Sequence, residues 1–314
     1  MIIENKFKEF KNFNYYFFIY LSFLAFCAII HLYTKHDVGN DSSISEWIIN
    51  YQGGLTRRGL LGEICFHIAK FFSSELRFVI FIFQSISYVF LLILNYYFFK
   101  DIKQNILTVF AILTPIFILY PIAEIESLGR KEVFLYIYFL GVIYFCNDRR
   151  DYNNNLNKYI LIITPIICLI YEQVTLFFPF AMACLVFHKK IKTLRSFLKT
   201  CFLFVPALLI VIYFFVFPLS MENHEIMKQS LMVNFDERCY MSCHLLRVFD
   251  LDKIGFIIDS TYGNIEINEV ILWIFRYFLI FLIGFFPLLF LSTFSNISIT
   301  NFFSVLKLNN IFFF

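Results

Sequence analysis

Long apolar runs separated by short polar segments set the pattern of this chain. They fall at about 13–34, 77–99, 105–122, 132–146, 199–218 and 269–292, most of them near or above the ~18 residues that suggest a bilayer crossing. Residues 159–187 form one more run, but basic residues flank it on both sides. Arg149, Arg150 and Lys158 precede it, and Lys189, Lys190, Lys192, Arg195 and Lys199 follow. A single crossing would place those clusters on opposite faces, against the tendency of Lys and Arg to stay on one side. Two short helices turning near Tyr171-Glu172-Gln173 avoid this. At ~1.5 Å per residue, ~13-residue helices fall short of the hydrocarbon core, so the pair is re-entrant or thins the bilayer. The pattern predicts an all-α polytopic membrane protein of about eight transmembrane helices, including this re-entrant-like pair, in a single integral membrane domain over 1–314.

The basic segments orient it. The amino terminus with Lys6, Lys8 and Lys11, and the loops near 100–104, 147–158 and 188–199, are expected in the cytoplasm. The extracytoplasmic parts are then 35–76, 123–131, the 171–173 turn and 219–268. The first and last of these are the two sizeable outer loops. No small-residue cleavage site follows the first run, so no cleavable signal peptide is expected. The abrupt Phe312-Phe313-Phe314 end suggests a shortened chain.

Composition strengthens the membrane reading and removes other classes. The chain is 60% hydrophobic, 21% aromatic and only 16% charged, with a mean hydropathy of +0.73. A net charge of +3 is too small to imply nucleic acid. No P-loop, Gly-x-Gly-x-x-Gly after a strand, His-Glu-x-x-His or Gly-x-Ser-x-Gly is present, so neither a cofactor nor a metal is expected. Of the eight cysteines, six lie in or beside apolar runs as small hydrophobes. Cys239 and Cys243 lie in the late loop, where a disulfide would form in an oxidising compartment, although helical geometry there would disfavour it.

Candidate chemistry gathers in the outer segments. Tyr51-Gln-Gly-Gly-Leu-Thr-Arg-Arg-Gly-Leu-Leu-Gly-Glu63 joins four glycines to Arg57 and Arg58. Glycines such as Gly53 and Gly54 permit positive φ and close approach to a ligand, and the guanidinium forks match phosphate or carboxylate. The plainer alternative is a tight turn into a short interfacial helix. Glu172 stands alone in an apolar hairpin, where an ionisable group is costly and calls for a partner, with Arg57, Arg58 or Arg130 the candidates. Arg130 and Lys131 form a second basic pair, and Glu126 and Arg130 could pair on a helix. Asp37, Asp41 and Glu46 offer an alternative acidic site in the first loop.

Carboxylates and arginines at a membrane face suit glycosyl transfer from a polyprenyl carrier. Arginines hold the departing pyrophosphate and a carboxylate takes the acceptor's proton. On Gly53-Gly54…Arg57-Arg58-Gly59, Gly129-Arg130-Lys131-Glu132 and Glu172, the chain resembles the O-antigen and capsule repeat-unit polymerases of bacteria and the wider lipid-dependent membrane glycosyltransferases. The resemblance implies a polysaccharide-building enzyme of the bacterial inner membrane that takes polyprenyl-pyrophosphate-linked glycan as substrate, with membrane lipid and other polysaccharide-assembly proteins as partners. Arg57, Arg58, Arg130 and Lys131 would bind the pyrophosphate, and Glu172 or Glu63 would act as base. The alternatives are a polyprenyl-monophosphate-sugar-dependent transferase using the acidic first-loop site, and a non-enzymatic translocator or scaffold for lipid-linked sugars.

Overall fold

The computed structural model describes residues 13–39, 41–100, 127–147, 152–189 and 193–244, with 109, 112, 113, 118–123, 246, 275, 278 and 279 besides. Every regular element among them is helical. The runs expected at 105–122 and 269–292 lie largely outside the described residues, and Glu124, Glu126 and Arg247 wholly so.

Among the described residues, three stretches are long and apolar enough to cross a membrane: Phe13–His36, Leu76–Phe99 and Leu194–Val216. The first, α1, buries Phe13, Phe17, Leu21, Leu24, Ala28 and Leu32, a spacing of three and four residues that forms one stripe. That stripe packs on α4 (Leu76–Phe99) through Tyr88, Leu91 and Leu92. The opposite face carries exposed Phe23, Phe26 and Tyr33, so α1 is apolar all round, as a helix facing lipid must be. At ~1.5 Å per residue, the 24 residues of α4 exceed the ~30 Å core of a bilayer.

Shorter apolar helices complete the bundle: α5 (Glu132–Asn147), α6 (Tyr152–Ile170) and α7 (Phe178–Lys189). Both α6 and α7 pack on α5. The chain breaks at Tyr171 and runs as a 3-10 helix through Glu172–Phe177, where the sequence pattern asks for a turn. The run expected at 199–218 begins earlier. It is α8 (Leu194–Cys201), a 3-10 turn at Phe202–Phe204, and α9 (Val205–Val216). Thr193 caps α8, and Pro206 sits in the first turn of α9, where its missing N–H leaves no helical bond unmade.

The two polar loops are themselves helical. The first holds α2 (Ser42–Trp47) and α3 (Gly59–Phe72); the second holds α10 (Met221–Phe235) and α11 (Met241–His244). They pack on each other, α11 against α2, and Phe66 meets Phe235 edge-on at 5.1 Å. Trp47 is fully buried beneath them and donates its indole N–H to the Gly129 carbonyl at 2.7 Å. Contacts from His36, Arg77, Leu128, Lys131 and Tyr171 into this assembly place the C-terminal ends of α1 and α6 and the N-terminal ends of α4 and α5 at one end of the bundle. Asn14 and Lys100 meet at the other end.

Candidate functional site

The glycine-arginine stretch is a tight turn that ends as a helix begins. Gly54 donates its N–H to the Tyr51 carbonyl at 2.9 Å and takes φ 116°, a value an L side chain resists. A Cβ on Gly53 would lie 1.9 Å from the Asn223 carbonyl oxygen, so the space beside Gly53 belongs to α10 and not to a ligand. Glu63 reaches back from α3 to hold the turn, accepting from Tyr51 N (2.7 Å), Gln52 Nε2 (2.8 Å) and His67 Nε2 (2.8 Å). These contacts give Gly53 and Glu63 positioning work within the loop.

Arg58 stands immediately before α3 with φ 62°, an uncommon backbone for a side chain of its size. That geometry sends its guanidinium inward. Nε lies 3.0 and 2.9 Å from the two Glu172 oxygens, and Nη1 donates to Glu46 Oε1 at 3.0 Å. The guanidinium carbon sits 5.2 Å above the Tyr171 ring, a cation–π distance. Arg57 Nη1 lies 3.9 Å from Glu172 Oε1, one of the two oxygens that Arg58 contacts. Lys131, wholly buried, donates to the Arg58 carbonyl oxygen at 2.6 Å and lies 5.8 Å from the Trp47 ring. Tyr171 O–H is within reach of Gln173 Oε1 (2.6 Å) and Glu132 Oε1 (3.1 Å), and Arg130 Nη1 is 3.8 Å from that same Glu132 oxygen.

Among the described residues, four cations, Arg57, Arg58, Arg130 and Lys131, thus meet three carboxylates, Glu46, Glu132 and Glu172, one cation more than carboxylates. Burial shapes their ionisation. It pushes Glu46 up, with the nearby Arg58 pulling the other way, and it lowers Lys131 to about 8. Burial also pulls Arg58 down, but the hydrogen bonds and charge of Glu172 outweigh it and leave Arg58 raised. Arg57 is lowered, burial outweighing Glu172. Three buried atoms, Glu46 Oε2, Glu132 Oε2 and Arg130 Nε, make no hydrogen bond among the described residues. A cluster of buried and half-buried charges with spare donors and acceptors among the described residues can take a further charged or hydroxylic group.

The sequence candidates therefore fall into groups. Arg57, Arg58, Arg130, Lys131, Glu172 and Glu46 converge. Asp41 caps α2, accepting from Ser43 N (2.7 Å) and Ile44 N (3.1 Å), and pairs with Lys35 at 3.3 Å. Asp37 is exposed beside His36. The first-loop acids consequently do not gather into one site. Cys239 and Cys243 are joined by a disulfide, with α11 beginning between them. Sequence reasoning missed His224, which lies against that disulfide, and it saw Tyr171 only as part of a turn. No local motif could have found His224, because the spacing to Cys239 matches no metal pattern.

Comparison with family models, curated proteins and solved structures gave no match, so the site is read from its geometry.

Proposed function

We propose that the chain is a lipid-dependent membrane glycosyltransferase that transfers or polymerises polyprenyl-pyrophosphate-linked oligosaccharide units on the outer face of a bacterial inner membrane. The observation that carries this reading is the excess-positive carboxylate–guanidinium cluster at the end of an apolar helical bundle. In this reading eight segments cross or enter the bilayer, and the amino terminus is cytoplasmic. A lipid pyrophosphate brings two or more negative charges to the level where apolar helices meet polar loops, and there the described residues of the cluster hold one more cation than carboxylates.

The roles follow from exposure and pairing. Arg57 and Arg130 are the most exposed cations of the cluster, their side chains 28% and 39% exposed, and they take the pyrophosphate. Arg58, at 14%, is turned inward and orients Glu172. Each carboxylate oxygen has two lone pairs, so Arg58 leaves Glu172 room to accept the proton of an acceptor hydroxyl. As the glycosyl bond breaks, charge grows on the pyrophosphate, and the fixed guanidiniums stabilise it without reorganising.

The test uses the full chain in lipid nanodiscs with polyprenyl-pyrophosphate oligosaccharides extracted from its host cell. A ladder of lengthened glycan that persists in EDTA is the expected product, and Arg57→Glu abolishes it. No ladder from the wild-type chain in nanodiscs, together with passage of unlengthened substrate across the bilayer of sealed vesicles holding the same chain, would replace this reading with the translocator.

A further inference from the structure

The late loop holds a second, independent group of reactive side chains. His224, in the first half of α10, is fully buried; Cys239 and Cys243 are also buried, and one ligand atom from each of the three lies within 4.8 Å of the others. His224 Nε2 is 3.4 Å from Cys239 Sγ and 3.1 Å from the Cys243 carbonyl oxygen. The Cα atoms of the two cysteines are 5.3 Å apart. A disulfide alone asks nothing of an imidazole. Here one is brought from fifteen residues away, inside a helix, to face both cysteines.

We propose that, once reduced, His224, Cys239 and Cys243 form a buried three-ligand site for a thiophilic d10 cation, Cu⁺ or Zn²⁺, in exchange with the disulfide. The chemistry is balanced by a dithiol reductant. Two electrons and two protons convert the disulfide to two thiols, while the dithiol becomes a disulfide. The entering cation then displaces both thiol protons, and two metal–sulfur bonds form. The sulfurs separate from bonding distance to roughly 4 Å, as metal–sulfur bonds of ~2.3 Å require. With the Cys243 carbonyl as acceptor, Nε2 carries the ring proton in the oxidised form. Metal binding needs the Nε2 lone pair, so the proton moves to Nδ1. Two thiolates and one imidazole are soft to intermediate donors that exclude calcium and magnesium. Three donors in a buried place satisfy Cu⁺, whereas Zn²⁺ usually takes a fourth.

The experiment uses purified full-length protein in nanodiscs, without air. The oxidised and the phosphine-reduced chain are each titrated with Cu⁺ against a chromophoric Cu⁺ chelator, and with Zn²⁺ against a zinc chelator. The expected result is one tightly held Cu⁺ per reduced chain and none per oxidised chain, with X-ray absorption showing two sulfurs and one nitrogen. Cys239→Ser and His224→Gln, reduced, should lose that equivalent. The oxidised wild type is a control that needs no variant to fold. If reduction adds no bound Cu⁺ or Zn²⁺, or if the added ion survives Cys239→Ser, the site does not exist.

Discussion

Two arginines at helix starts reach carboxylates from distant parts of the chain, and they differ in what they leave over. Arg77, in the first turn of α4, places Nε and Nη2 on the Glu237 carboxylate at 2.6 and 2.8 Å. Its Nη1 donates to the Val38 and His36 carbonyls at 2.9 and 3.3 Å. One acid, two carbonyls and the Tyr240 hydroxyl, 3.5 Å from Nη2, take up the five N–H donors of one guanidinium, and the result is a clamp holding the second loop to the first. Arg58 has the same kind of partner in Glu172, but it shares it with Arg57 and shares itself with Glu46. Around it stand buried atoms, Glu46 Oε2, Glu132 Oε2 and Arg130 Nε, that make no hydrogen bond among the described residues. A saturated pair binds the chain to itself, and an unsaturated cluster has capacity for something else. That difference separates the proposed site from the clamp.

The sharpest break of this contrast comes from Glu172. Loss of a general base costs ~10²–10⁴-fold in rate, so Glu172→Gln should cut turnover in the nanodisc assay by that much. Glu237→Gln, normalised to folded protein, should leave it unchanged. Equal losses in both variants would mean that the cluster is a clamp as well.

Stability comes next. Stranding one member of a buried pair costs about 3–5 kcal/mol, whereas replacing both by apolar groups of similar size is often neutral. Arg58→Met alone should therefore destabilise strongly, and Arg58→Met with Glu172→Met should recover most of the loss in a denaturant series. The recovered double variant should still be inactive. An active one would reduce the cluster to architecture.

A smaller effect is expected at the clamp. Arg77→Lys keeps the charge but loses the fork, and Arg77 is partly exposed. A drop of about 1–2 kcal/mol with normal activity is the expected outcome in the same series.

The smallest is a pH effect at Lys131. Its folded value of about 8 lies below the ordinary 10.5, so between those values the unfolded chain holds a proton that the folded one has released. Stability must then rise with pH across that window, and the full penalty for charging Lys131 is present below it. Melting temperature should increase by a few degrees from pH 7.5 to 9.5 in the wild type, relative to Lys131→Met. An identical pH slope in the variant would show that Lys131 stays charged.

Much of this was legible in the sequence because it is written in local periods. The apolar runs at the positions of α1 and α4 predict helices within a residue or two of those found. The basic flanks of 159–187 force a break that the structure has at Tyr171. The demand of Glu172 for an arginine is met by Arg58. What stayed hidden depends on tertiary approach. Gly53 looks like ligand chemistry until Asn223 fills the space beside it. Glu63 looks like a base until it is seen holding the backbone of Tyr51. Asp41 and Glu46 read as one acidic set, but they point to different partners, because one caps α2 and the other lies near its last turn. Lys131 carries no signal of its burial, since a lysine after an arginine in a polar loop is ordinarily solvated. Helix α10 lies in a segment whose polarity suggests a loop.

The sequence distance between Arg58 and its acid has a consequence for biogenesis. Glu172 follows Arg58 by 114 residues, which at ~5–20 residues per second is roughly 6–23 s of synthesis. Throughout that interval the arginine has left the ribosome and its main counter-ion has not. Glu46, made 12 residues before Arg58, is the acid already at hand. It can neutralise the arginine while the early helices enter the bilayer and before the turn at Tyr171 exists. The order of synthesis leaves Glu46 as the acid within reach of Arg58 until Glu172 has been made.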